Sequence, residues 1–188
     1  MFSGLSATPT AYQSAHDAFA TLLTQVNWQT FSTFTYSRHI WSTEKVQKDL
    51  KRTIKNAIAL THGIPRGSKA FTRAFNKPFS VYAPWFIAIE SHKSGSFHAH
   101  SLTGSLSATG VVSESAALKT INTSALQDCF ADCKDAGFTK IVPVRKNRSA
   151  IDYMIKTSRY ITKDSNSVLD WNGLKGWETY SPIVAPTV

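Results

Sequence analysis

Glu90, His98 and His100 are the residues whose types and spacing most directly suggest chemistry, in the segment Glu90-Ser-His-Lys-Ser-Gly-Ser-Phe-His98-Ala-His100. Histidines at i and i+2 of an extended strand point to one face, roughly 6.6 Å apart along the chain. Glu90 precedes them across Lys93-Ser94-Gly95-Ser96, a hairpin-like turn, so its carboxylate can reach the same face. Two neutral imidazole nitrogens and one carboxylate leave coordination positions open for water or substrate, as a catalytic ion requires. The plainer alternative is a pair of buried, hydrogen-bonded histidines. His92 shares the parity of Glu90 and is a second-choice ligand.

A second constellation follows in SAIDYMIKTSRYITK, residues 149–163: Tyr153 with Lys156, then Tyr160 with Lys163, two copies of Y-x-x-K. On a helix, positions i and i+7 lie near one face, about 10.5 Å apart along the axis. Each lysine sits one turn beyond its tyrosine, where a cation can bind a phosphate or favour phenolate character. The alternative is one tyrosine packed in the core beside solvated lysines.

The elements that must position these groups are legible from periodicity. Apolar Phe19, Leu22, Leu23 and Val26 predict a helix over Thr10–Val26, and FSTFTYSR, residues 31–38, predicts a strand. Ser42 offers an N-cap to a helix reaching about Leu60, with Val46, Leu50, Ile54, Ala57 and Ile58 as its apolar stripe. Lys45, Lys48, Lys51, Arg52 and Lys55 fill much of the remainder, either as a solvated face or as a track for a phosphate backbone. Residues 62–80, rich in Gly, Pro, basic and aromatic residues, read as a loop.

Strands follow at Val81–Ser91 and Phe97–Leu106. Ser124 and Gln127 resemble a capping box opening a helix that runs through Cys133 and is closed by Gly137. Thr139–Arg145 reads as a strand, Ser149–Lys163 as a helix, and the Trp- and Gly-rich tail as irregular. The order β-α-β-β-α-β-α predicts an α+β, split βαβ (ferredoxin/RRM-like) antiparallel sheet with helices packed on one face, in a single domain. Residues 1–30 form an N-terminal helical extension, 31–165 the domain, and 166–188 a tail packing on it.

Composition narrows the partners. The 188 residues carry 21 Lys and Arg against 12 Asp and Glu, a formal charge of +9 that suits nucleic acid or an acidic membrane surface. Eleven Phe, six Tyr and five Trp offer stacking faces for unpaired bases, although core packing is their usual use. No apolar stretch approaches the roughly 18 residues of a membrane span, and no signal peptide opens the chain. Cys129 and Cys133 at i, i+4 read as core residues of a reducing compartment. GIPRGSK, residues 63–69, lacks P-loop spacing, so nothing supports an ATPase.

Taken in order, these motifs resemble the HUH endonuclease superfamily, and within it the rolling-circle replication initiators of small plasmids, phages and single-stranded DNA viruses. The match runs over about residues 31–164: the strand Thr33-Phe34-Thr35-Tyr36, then Glu90 with His98 and His100, then the Y-x-x-K helix. The resemblance implies Mg²⁺ or Mn²⁺ at Glu90, His98 and His100, and a tyrosine that attacks single-stranded DNA at an origin hairpin. It implies a 5′-phosphotyrosine, a free 3′-OH and reversal by religation. Tyr160, preceded by Arg159, resembles the plasmid and phage nucleophile and is placed first; Tyr153 resembles the viral one. Asp164 stands where relatives often carry a second tyrosine. Unwinding would fall to a host helicase or to another part of a longer chain. The compartment implied is the cytoplasm, or the nucleus for a eukaryotic virus. Alternatives are a transposase of the same superfamily, a non-catalytic single-strand-binding module, and a zinc hydrolase, since the ligands alone would also suit Zn²⁺.

Overall fold

Alternation along three neighbouring strands decides the architecture. The computed structural model describes residues 11–38, 40, 42–76, 84–91, 96–106, 121–156, 168–172 and 183–184. Its strands are β1 (Val26–Tyr36), β2 (Trp85–Ser91), β3 (Phe97–Leu106), β4 (Ala136–Pro143), β5 (Val168–Asn172) and β6 (Ile183–Val184). Its helices are α1 (Ala11–Thr24), α2 (Thr43–Thr61), α3 (Lys69–Asn76), α4 (Thr123–Ala131) and α5 (Asn147–Ile155). The strands form one sheet in the order β4-β1-β3-β2-β5-β6, with every neighbouring pair antiparallel. The α+β, split βαβ arrangement read from the periodicity is therefore present, in a single compact domain.

Helices cover both faces of the sheet rather than the one face expected. On the first face, Phe34, Trp85, Ile87, Ile89, Phe97 and Ala99 pack with Val46, Leu50, Ile54 and Ile58 of α2 and Leu126, Cys129 and Phe130 of α4. On the second, Trp28, Phe86, Ala88, Leu102 and Leu169 pack with Phe19 and Leu23 of α1 and Ile151, Met154 and Ile155 of α5. Each large side chain buried here contributes roughly 1.5–3 kcal/mol. The strands read as nearly continuous apolar runs in β2 because both faces are covered. Cys129 and Cys133 are buried thiols of the first layer, as expected.

Several expectations are corrected. β1 begins at Val26, so residues 26–30 belong to the sheet and not to an extension. The segment read as a loop over 62–80 contains α3, opened by Ser68, whose hydroxyl accepts from the Phe71 amide. Helix α4 is capped by Asn122, not Ser124: the Asn122 side chain accepts from the Ser124 and Ala125 amides. Asn122 is held there by its own N–H donating to Thr61 Oγ1 at the end of α2, a tertiary anchor that local sequence does not reveal. The helix ends at Ala131, and Asp135 (φ 71°) makes the turn into β4, which starts at Ala136 and so contains Gly137.

The tail supplies β5, which pairs with β2, and the short β6, where irregular structure was expected. An aspartate inside Val-Leu-Asp-Trp-Asn argues against a strand. Asp170 is tolerated, fully buried, because Gln47 and Lys51 of α2 reach its carboxylate at 2.5 and 3.4 Å.

A register break between Trp28 and Thr30 keeps Trp28 and Phe31 on the same face of β1. Opposite it stands Gly104, where a Cβ would lie 2.5 Å from the Asn27 carbonyl oxygen and 2.9 Å from Trp28 Cα. Backbone on backbone cannot yield there. Gly104→Ala is expected to lower unfolding stability by on the order of 2 kcal/mol, read by urea denaturation; an unchanged midpoint would refute this close approach.

Candidate metal centre and its tyrosine

The period of two along β3 builds the site. Phe97 and Ala99 face the α2/α4 layer, which turns His98 and His100 to the opposite face. Glu90 is the direct cross-strand partner of His98, and His100 lies between Ala88 on β2 and Thr33 on β1. Glu90, His98 and His100 come together as expected, with one ligand atom from each lying within 4.8 Å of the others. Glu90 Oε2 stands 3.2 Å from His98 Nε2 and 4.0 Å from His100 Nε2. Ligand atoms sharing an ion at bonds of about 2.1 Å stand roughly 3.0–3.4 Å apart, so small side-chain adjustments would close the set on a cation.

The electrostatics suit such an ion. His100 is 3% exposed, and burial pushes its pKa down to about 4; the Glu90 charge works the other way, while His98 and Lys156 add to the lowering. An imidazole kept neutral is a ready metal ligand. Thr33 Oγ1 lies 3.1 Å from His100 Nδ1. With Nε2 given to an ion, Nδ1 would carry the ring proton and donate it to the Thr33 hydroxyl oxygen, fixing the tautomer and ring orientation. The Glu-His-His group is thus a buried set of donors that could hold a metal ion.

Tyr153 joins this group from α5. Its hydroxyl is 3.4 Å from His100 Nε2, and its ring stands edge-on to His100 at 5.0 Å between centroids. Phe31 stacks on the His100 ring (5.5 Å, 24° between planes) and meets Tyr153 edge-on at 5.3 Å, so the three rings form one cluster. Lys156 places its ammonium 3.6 Å from the centroid of the Tyr153 ring. Tyr153 nevertheless remains 40% exposed, at the margin between the triad and solvent.

The helix is held at both ends of this contact. Asn147, its first residue, accepts from the Trp28 amide through Oδ1 and donates to the Val26 carbonyl through Nδ2. Ile151, Met154 and Ile155 then bury against α1 and the sheet, which leaves Tyr153 at the margin beside His100.

Of the residues singled out by sequence, the structure unites Glu90, His98, His100, Tyr153 and Lys156. Tyr160, Lys163 and His92 lie outside the described residues, as does the hairpin turn at 92–95. Phe31 and Asn147 were not anticipated as parts of the site; their roles depend on strand pairing and helix docking that short motifs do not encode. Thr33 lay inside a recognised motif, but its contact with His100 follows only from the β1–β3 register. No family model, curated protein or solved structure matches the chain.

Two outcomes follow from this geometry. Mn²⁺ added to metal-free protein is expected to bind at the triad, with Thr33→Val weakening the affinity roughly 10-fold and Glu90→Ala weakening it further. Titration calorimetry checks this, and an unchanged affinity in Glu90→Ala would remove the triad as the ligand set. For metal-free protein the folded pKa of His100 lies below the ordinary 6.5, so the folded state binds its proton less readily than the unfolded chain. Its stabilising contribution is present above about pH 6.5 and is lost as the pH falls through about 4. Urea midpoints should decline across that window and decline less in His100→Gln; parallel declines would contradict the assignment.

Proposed function

We propose that this chain is a metal-dependent HUH-type endonuclease and strand transferase acting on single-stranded DNA, with Tyr153 as its nucleophile. The observation that carries the reading is the Tyr153 hydroxyl 3.4 Å from His100 Nε2, the nitrogen that also faces Glu90. Glu90, His98 and His100 would hold the divalent cation, Mg²⁺ or Mn²⁺ by resemblance, which when bound supplies Lewis-acid polarisation of the scissile phosphate.

The chain's own residues account for the remaining steps. Phe31 and the edge-on packing against His100 hold the Tyr153 ring in one orientation, so the phenol oxygen is already placed when DNA arrives. The Lys156 ammonium over the ring would pair with the scissile phosphate as it approaches the Tyr153 hydroxyl. The phenol oxygen attacks phosphorus, a Tyr–O–P bond forms, and the P–O3′ bond breaks. The tyrosine proton passes to solvent and the departing 3′ oxygen is protonated from water. The phosphotyrosine ester retains the energy of the broken linkage, so a later 3′-OH can reverse the step and seal a strand without ATP. Initiator and transposase would share this chemistry; the replication-initiator role rests on the motif order alone.

With labelled single-stranded oligonucleotide and Mn²⁺, wild type and Tyr160→Phe are expected to form a covalent adduct on a denaturing gel. Tyr153→Phe is expected to lose it by at least about 1,000-fold. An adduct persisting in Tyr153→Phe would move the nucleophile elsewhere, and no adduct from wild type would sink the endonuclease reading.

A further inference from the structure

The basic residues of α2 are not used by the site just described, because α2 packs on the face of the sheet opposite to Glu90, His98 and His100. Lys48, Lys51, Arg52 and Lys55 follow one another at i, i+3, i+4 and i+7, a row about 10.5 Å long on one side of the helix. Arg66 and Phe71, from the segment that leads into and begins α3, rise beside it, and the surfaces enclose an open groove of about 750 Å³. Phe71 is anchored against the core beneath α2 and forms an apolar wall. Glu44 is the one acidic residue lining the groove.

Positive charge is crowded there. Asp170 draws Lys51 inward and Asp49 lies 3.3 Å from Arg52, yet the lining keeps a strong cationic excess. Burial, and then the neighbouring Lys51, hold the Lys55 ammonium below its ordinary pKa, so an anion entering the groove would relieve that crowding. Lys48 is exposed, and Arg66, which donates to Cys129 Sγ at 3.3 Å through one guanidinium nitrogen, meets Asp132 through an exposed contact of 3.6 Å that contributes little to stability.

We propose that this groove binds a nucleic-acid phosphate backbone as a second surface, on the opposite side of the sheet from the metal centre. The row along α2, about 10.5 Å long, is long enough for about two successive phosphates of one strand. A concave, cation-lined channel with an aromatic wall suits a strand, whereas a flat lipid surface could not reach its floor. The groove would hold DNA flanking the nicked segment, or a separate strand, since the sheet separates it from Tyr153. It does not depend on the chemistry assigned to Tyr153.

The test uses full-length protein in EDTA, so that no cleavage intervenes. Fluorescence anisotropy with single-stranded and double-stranded oligonucleotides is compared between wild type and Lys48→Glu/Arg66→Glu, with anionic phosphatidylserine vesicles as a third arm. The expected result is at least tenfold weaker binding of one or both oligonucleotides. For single strands the salt dependence should flatten by about 1.4 in log–log slope, about 0.7 for each lost contact. Lys48→Gln/Arg66→Gln should give a smaller loss in the same direction, with both variants melting as wild type. Unchanged affinity and slope would overturn the proposal, as would a loss confined to vesicles. Absence of a covalent adduct with Mn²⁺ would defeat the endonuclease reading while leaving this measurement intact.

Discussion

Everything in the site hangs on the register of β3 between β1 and β2. The strand serves two layers at once: Phe97 and Ala99 fill the α2/α4 core while His98 and His100, one residue along, face α5. A slip of one residue would drive both imidazoles into an apolar layer and put Phe97 and Ala99 where ligands are needed. That exchange would bury polar nitrogens without partners and expose apolar surface, so hydrophobic packing enforces the placement of the histidines. Gly104 against the β1 irregularity, and the buried hydroxyl pair of Thr30 and Thr103, tie the far end of the strand to the same register.

From that register the second layer follows. Because β2 and β3 meet with Glu90 opposite His98, carboxylate and imidazole need no long-range coincidence to approach. Because β1 meets β3 with Thr33 opposite His100, a hydroxyl stands ready at the imidazole nitrogen turned away from Glu90. The tyrosine comes from outside the sheet, and its placement depends on helix docking: Asn147 clamps the start of α5 to β1 and the apolar face of α5 does the rest. Covering both sheet faces also separates the molecule into two surfaces, one bearing the triad and Tyr153, the other bearing the cation-lined groove over α2.

Sequence patterns reached far into this arrangement, for identifiable reasons. The strand H-x-H with an upstream Glu is read correctly because parity on a strand and a direct cross-strand pair are local properties. Helix α2 begins at Ser42 as expected because its cap, with Ser42 Oγ accepting from the Lys45 amide, is local too. The misses are tertiary. Asn122 rather than Ser124 caps α4 because Thr61 holds it, and Asp170 sits in a strand because α2 supplies Gln47 and Lys51. That α1 and α5 cover the second face, and that Phe31 therefore packs on His100 and Tyr153, could not be read from amphipathic stripes, which say that a helix buries one side but not against which sheet face. Of the two Y-x-x-K copies, Tyr153 is the one whose hydroxyl is described beside the triad.

The central claim is that the residue beside His100 becomes covalently bonded to DNA. Peptide mapping by mass spectrometry of the protein after reaction with single-stranded oligonucleotide and Mn²⁺ tests it most directly. Tryptic cleavage separates the two candidates, SAIDYMIK carrying Tyr153 and YITK carrying Tyr160. The account predicts the nucleotide mass on the peptide containing Tyr153. Finding it on the peptide containing Tyr160, or on neither, would contradict the account.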